Sequence, residues 1–256
     1  METADVQELR ECLDRLRRSQ TFEEATDELV KAGLVLGASK TAWAPDLSRP
    51  YFDAEMDAFH RRQGWPDDIM RIWWDEHATL KMPFYIRCRF EHLPFATDLM
   101  AADRTSSISP EQRRAATIVL GMGITDLITV PIHLPKGQVA MVTWAGNFER
   151  RAAHLLDKTS PELVAIGHFF MDVFLRRFGR RGTTESELAR LTPREWECLR
   201  LTAQGYRERE VANLTGVSAT TVRFHLDNVA KKLGASTRTQ AVALAAQMGM
   251  LGPIGN

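Results

Sequence analysis

Residues 218–238, SATTVRFHLDNVAKKLGASTR, crowd side chains suited to nucleic acid into one short stretch. Arg223 can donate two parallel hydrogen bonds to guanine, Asn228 can reach adenine or a phosphate, Asp227 can accept from cytosine N4, and Phe224 can touch a thymine methyl. Lys231, Lys232 and Arg238 suit phosphates, which adds affinity and salt dependence without sequence information. Thr220 and Thr221 open the same stretch. The chain has no nucleophile elbow, phosphate loop or paired-carboxylate motif, and no metal-ligand spacing among its seven histidines and three cysteines. Neither an enzyme nor a metal protein is expected.

These side chains need a helix with one free face. Val222, Leu226, Val229 and Leu233 recur at helical spacing and form an apolar stripe. At about 100° per residue, Thr220, Arg223, Phe224, Asp227 and Lys231 point the other way, with Asn228 at the edge. Upstream, Thr192, Pro193 and Glu195 make a capped helix start, and Gly205 suits a left-handed stop. A short helix is expected over 207–214, and Ser218 caps the next one. Helix, short helix, turn and polar-faced helix is a helix-turn-helix arrangement, whose last helix enters the major groove. Periodicity and charge alone also fit an amphipathic surface helix in an all-α interaction domain.

Charge separates this region from the rest. From Arg176 onward there are 13 Lys and Arg against 7 Asp and Glu, while the remainder has 20 against 26. Overall neutrality therefore hides a basic tail behind an acidic front. The stretch RRFGRRGTTESELAR, 176–190, loses apolar periodicity and reads as a linker. In front of it, Thr21 with Glu24 and Ser109 with Gln112 make capping boxes, and Ser160-Pro161 repeats the pattern. Two β-branched runs around Pro135-Lys136-Gly137, within 127–146, predict a hairpin, and residues 40–44 a further strand. Cys12, Cys88 and Cys198 are too scattered to pair together, which fits a reducing, cytoplasmic setting. No signal-peptide core or membrane-length apolar stretch is present.

The tail, LTPREWECLRLTAQG followed by REVANLTGVSATTVRFHLDNVAKKLGASTRTQAVALA, resembles the LuxR-type helix-turn-helix. The resemblance places Thr220, Arg223, Phe224 and Asp227 toward bases and leaves His225 and Leu226 mainly internal. The front resembles the autoinducer-binding domain of quorum-sensing regulators, with Trp65-Pro66, Ile69, Trp73, Met82-Pro83 and PFAT at 94–97 keeping that family's intervals. In that family a Trp, a Tyr and an Asp hydrogen-bond an acyl-homoserine lactone. Here Ile69 has no donor, Trp73 keeps an indole N–H, Met82 cannot accept the amide proton, and Thr97 replaces an aromatic wall with a small hydroxyl. Losing one buried partner costs about 1–3 kcal/mol, so losing two disfavours a standard lactone by about 100-fold or more. Either a different signal molecule is held by Trp73, Met82, Phe84, Tyr85 and Phe95, with Thr129 or Thr143 as polar anchors, or the cavity is filled and no ligand is needed.

The expected architecture is α+β: an N-terminal α/β/α sandwich with a central antiparallel sheet over 1–174, a linker over 175–185, and an all-α four-helix domain over 186–256. The resemblance implies a DNA-binding transcriptional regulator, not an enzyme, with no cofactor beyond a possible signal other than a standard lactone. A homodimer on double-stranded DNA with inverted-repeat symmetry is expected, with RNA polymerase as a possible partner and no membrane. Phe169, Phe170, Val173 and Phe174, and the last helix, are candidate dimer surfaces. The rival role is an antagonist that forms inactive heterodimers with another regulator of this type.

Overall fold

The computed structural model describes residues 2–47, 52–75, 81–103, 109–149, 152–178 and 191–251. The chain divides into two compact units, the first ending at residue 179.

The first unit is built on a four-stranded antiparallel sheet of order β1-β4-β3-β2, comprising β1 (Ala38–Ala44), β2 (Phe95–Asp98), β3 (Asp126–His133) and β4 (Val139–Gly146). β3 and β4 form the expected hairpin around Pro135–Gly137. Pairing of β3 with β2 stops at Thr129, short of Pro131, which has no N–H to give. Because successive residues alternate faces, Ile128, Val130, Ile132 and Trp144 share one side, and Leu127, Thr129 and Thr143 the other.

The first face is covered by α2 (Phe22–Leu36) and α8 (Ala152–Phe178), with α1 (Glu2–Arg18) packed on both. The capping box of Thr21 and Glu24 starts α2, and Gly37, at φ 85°, stops it. Trp144 is fully buried against α2 and donates to the Leu29 carbonyl at 3.0 Å. On α8, a Cβ at Gly167 would stand 3.2 Å from both Val130 and Ile132, so the missing side chain lets helix and sheet approach. Arg15 reaches Glu28 at 2.8 Å and Arg10 reaches Glu162 at 2.9 Å, tying α1 to its two neighbours.

Two expectations about α8 need correction. Ser160-Pro161 does not start a helix but lies inside one. Pro161 removes one helical N–H. The hydroxyls of Thr159 and Ser160 bond back to the carbonyls of Leu155 and Leu156 at 2.7 and 2.6 Å, and buried Leu156, Thr159 and Leu163 carry the apolar side through. The helix also continues past 174, so residues 175–178 are its last turn rather than linker. Phe178 holds that turn by packing on Phe22 and Phe174, with ring centroids 5.0 and 5.1 Å apart. The rest of the expected linker, 179–185, lies outside the described residues.

The other sheet face is roofed by short elements: α4 (Asp67–Trp74), α5 (Pro83–Arg87), α6 (Leu99–Asp103) and α7 (Pro110–Gly121), with α3 (Ala54–Arg62) beside β1. Ser109 and Gln112 form the capping box of α7.

The second unit holds α9 (Pro193–Ala203), α10 (Glu208–Thr215), α11 (Ala219–Lys232) and α12 (Arg238–Gln247). Thr192 and Glu195 cap α9 reciprocally, Gly205 and Gly216 adopt positive φ at the turns, and Ser218 caps α11. Val222, Leu226, Val229 and Leu233 are all buried, the first two with Cys198 and Val211, the last two with Leu199, Ala241 and Ala245. The mixed α+β fold with a C-terminal helical helix-turn-helix region is thus as expected.

Candidate functional site

Between the sheet and its short-helix roof lies a cavity of about 120 Å³. β-Strands supply its floor through Ala42, Thr97, Leu127 and Thr143, which register places on one face. Trp65, Ile69, Ile72 and Trp73 come from α4 and the turn before it, Met82 to Tyr85 from α5, Leu99 from α6, and Gln112, Ala115, Ala116 and Val119 from α7. The helix α7 contains no fully buried residue, because its inward side meets the cavity instead of packed atoms.

Of the pocket residues expected from sequence, Ile69, Trp73, Met82, Phe84, Tyr85, Thr97 and Thr143 line this cavity. Phe95 and Thr129 do not. Phe95 is buried in a cluster with Cys88 and Met141, under the Arg87 guanidinium 3.9 Å from its ring centroid. Thr129 is wholly buried and hydrogen-bonded to Thr143 Oγ1 at 3.1 Å. Sequence reasoning missed Trp65 as a wall, although it lies in the quoted Trp-Pro pair, and missed the small residues Ala115 and Ala116. Small residues carry no sign of a ligand wall until a neighbouring void is visible.

The cavity is chemically sparse. Trp65 Nε1 donates to the Thr41 carbonyl at 3.2 Å, Gln112 is engaged by Ser109 and the Lys81 carbonyl, and Thr143 by Thr129. Thr97 Oγ1 is buried with no hydrogen-bond partner. Burial raises the Tyr85 phenol above its ordinary value and pushes the Cys88 thiol up to about 12, so both stay neutral. Behind Trp73 stands His60, 1% exposed, with its ring centroid 5.3 Å from the indole. Its Nε2 accepts from the Trp43 backbone N–H at 3.3 Å, its Nδ1 has no partner, and burial pushes its pKa down to about 3.

In the second unit, Thr220, Arg223, Phe224, Asp227 and Lys231 are exposed on α11, with Thr221 and Asn228 half-buried. Phe224 is 61% exposed, unusual for a phenylalanine on a folded surface. Two carboxylates sit among the cations. Glu208, on α10, takes Arg223 at 2.8 Å and Arg238 at 2.6 Å, and Arg238 also reaches Asp227 at 2.7 Å. The hydrogen bond from Arg223 holds Glu208 below the usual carboxylate range, and that from Arg238 does the same for Asp227. Asp227 thus has its donor within the chain. Sequence reading missed Glu208, which is 15 residues from Arg223 and meets it only in the folded unit.

Lys232 departs from its expected place on phosphates. It donates to Glu195 at 2.6 Å, and the Glu195 side chain is 4% exposed. Burial opposes the charge on Glu195, but bonds from Lys232 and Thr192 hold it ionised below the usual range. A buried carboxylate keeps its counter-cation, so the half-buried Lys232 is held by Glu195 rather than left free for phosphate.

Family models match both units: "Autoinducer binding domain" over residues 22–174 and "Bacterial regulatory proteins, luxR family" over 189–245. The chain belongs to the LuxR family. The transcriptional activator protein AhyR of Aeromonas hydrophila is 29% identical over 190 residues, covering 73% of this chain and 72% of that one. The quorum sensing-dependent transcriptional regulator RpaR of Rhodopseudomonas palustris is 29% identical over 188 residues, covering 73% of each. The crystal structure of Escherichia coli SdiA covers 96% of this chain and 98% of its own, with TM-score 0.57 at 18% identity, and so shows a shared fold. This LuxR-family chain is therefore a transcriptional regulator with an autoinducer-binding domain and a DNA-binding domain. Among the described residues, no helix is long and apolar enough to cross a membrane, and no cluster of His, Cys, Asp or Glu could hold a metal.

Proposed function

We propose that this regulator works as a homodimer on an inverted-repeat operator and answers to a small molecule that is not a standard acyl-homoserine lactone. The carrying observation is that Ile69, Trp73, Met82 and Thr97 line one cavity, and none of them offers the carboxylate that would accept a lactone's amide proton. The cavity remains open among Met82 and Trp73, which supports a ligand over a filled core. On the DNA side, α11 presents Thr220, Arg223, Phe224 and Asp227 to bases, with Thr221 and Asn228 at the margins and Lys231 toward phosphate. Arg238 acts through Asp227 and Glu208 as well as through charge.

The acidic pair Glu208 and Asp227 also favours a second reading, in which weakened DNA contact makes the chain an antagonist that pairs with another LuxR-type regulator. Operator binding by the purified protein separates the two. The experiment is native mass spectrometry of protein from a host that makes no lactone, with added lactones and with culture extract. A dimer that binds an operator and takes up a non-lactone mass is the expected result. Tight, saturable uptake of an acyl-homoserine lactone would overturn the ligand assignment.

A further inference from the structure

We infer that the cavity takes a small, uncharged aromatic molecule that carries one hydrogen-bonding group and presents it to Thr97 Oγ1. The inference rests on the reading of this cavity as the signal site. Size comes first. A space of about 120 Å³ is close to the engineered apolar cavities of about 150 Å³ that hold benzene, and well below the roughly 300–1,000 Å³ of drug-sized pockets. A single ring with short substituents fits it, whereas a long acyl chain does not.

Charge comes second. Among the described lining residues there is no Asp, Glu, Lys, Arg or His, and the one titratable group among them, Tyr85, is kept neutral by burial. An ion moved into this space would lose its hydration with nothing to replace it. The walls then set shape: Trp65, Trp73, Phe84 and Tyr85 are all aromatic, and the Trp73 and Tyr85 rings already meet edge to face at 5.7 Å and 83°. Aromatic partners gain from offset and edge contacts beyond the area they bury.

The anchor is Thr97. Of the three buried side-chain polar atoms without a partner among the described residues, Thr97 Oγ1 is the one on a cavity-lining residue. Buried hydroxyls are nearly always satisfied, so one left open beside a void points to a partner that arrives with the ligand. The hydroxyl can donate to a carbonyl or phenolic oxygen, or accept from O–H or N–H. The neighbouring hydroxyl of Thr143 already bonds Thr129 and Met141 Sδ, whereas Thr97 keeps its full capacity open to a ligand.

The test uses the full chain and two probes of matched shape, p-cresol and p-xylene, with binding followed by calorimetry and by fluorescence of the lining tryptophans. The expected result is saturable binding of both, p-cresol the tighter by about tenfold, with Thr97→Val erasing that preference and leaving p-xylene affinity unchanged. Thr97→Ser should restore the preference. Thr97→Val should also raise the unfolding temperature of the ligand-free protein, since it removes an unsatisfied buried hydroxyl, and this rise shows that the variant folds. Equal affinity for the two probes, or a preference that survives Thr97→Val, overturns the inference. If neither probe binds, the inference also fails, and Ala116→Phe then separates the causes. Should this cavity-filling variant block uptake of a mass from culture extract while operator binding persists, the signal-site reading stands and only the ligand class is wrong. Should uptake persist in that variant, the signal-site reading falls too.

Discussion

At the residue scale, the informative groups are those whose partners are unusual. His60 is neutral inside the first unit, with its pKa pushed by burial from 6.5 to about 3. Below pH 6.5 the unfolded chain takes a proton that the folded chain refuses, so stability is complete above that value and falls as the pH drops toward 3. Between pH 7 and 5 the loss is about 2 kcal/mol. Urea denaturation should show this loss and show it much reduced in His60→Gln. A flat profile in the native protein would mean that His60 finds a proton partner in solution. Glu208 is informative for the opposite reason, since it draws two arginines into salt bridges on the face proposed to meet DNA. The Arg223 pair is largely exposed and therefore weak, so it yields readily to phosphate, while the Arg238 pair is partly buried. Glu208→Gln should tighten operator binding by about threefold to tenfold at low salt, and steepen the dependence on salt. Fluorescence anisotropy across a salt series would measure both, and weaker binding would show that the acid's alignment of Arg223 matters more than its charge.

At the element scale, helix starts were legible because a cap is a local event. Thr21, Ser109, Thr192 and Ser218 cap the helices that their neighbours imply. Ser160-Pro161 carries the same local signal, but buried contacts on both sides run the helix straight through it. Local preference of a kcal/mol or so loses to tertiary packing of that extent. Packing also explains Gly33, which no sequence rule singles out. A Cβ there would lie 2.6 Å from Cδ1 of Trp144, so Gly33→Ala must push α2 off the sheet. We expect a destabilisation of about 1–3 kcal/mol. Chemical denaturation with tryptophan fluorescence would measure it, and an unchanged midpoint would show that the indole can move aside.

At the scale of the whole molecule, the question is how two units with opposite charge balance act as one regulator. One recognition helix contacts only a few bases, so useful specificity requires two, set by half-site spacing. Inserting about five base pairs between half-sites turns them to opposite faces of the duplex and should weaken binding of the dimer more than about tenfold. Equal binding to both spacings would mean that each copy binds alone. The surface proposed to join two copies is narrower than the sequence implies. Phe170, Val173 and Phe174 are buried, the two phenylalanines around Trp43, and Ala241 and Ala245 sit in the core of the second unit. Of the phenylalanines proposed on α8, Phe169 keeps a substantial outward surface.

The sequence by itself determined the helix-turn-helix, because apolar spacing, caps and turn glycines are short-range features that each residue carries with it. It also picked out Ile69, Trp73, Met82 and Thr97 by the intervals of the family it resembles, and all four reach the cavity. Only the tertiary structure decided what surrounds them: a small void with one open hydroxyl, a half-buried Lys232 tied to Glu195, and a carboxylate from α10 bonded to Arg223 and Arg238. The physical reason is distance along the chain. Voids, buried ion pairs and unsatisfied atoms are properties of residues brought together from separate elements, and no window of sequence contains them.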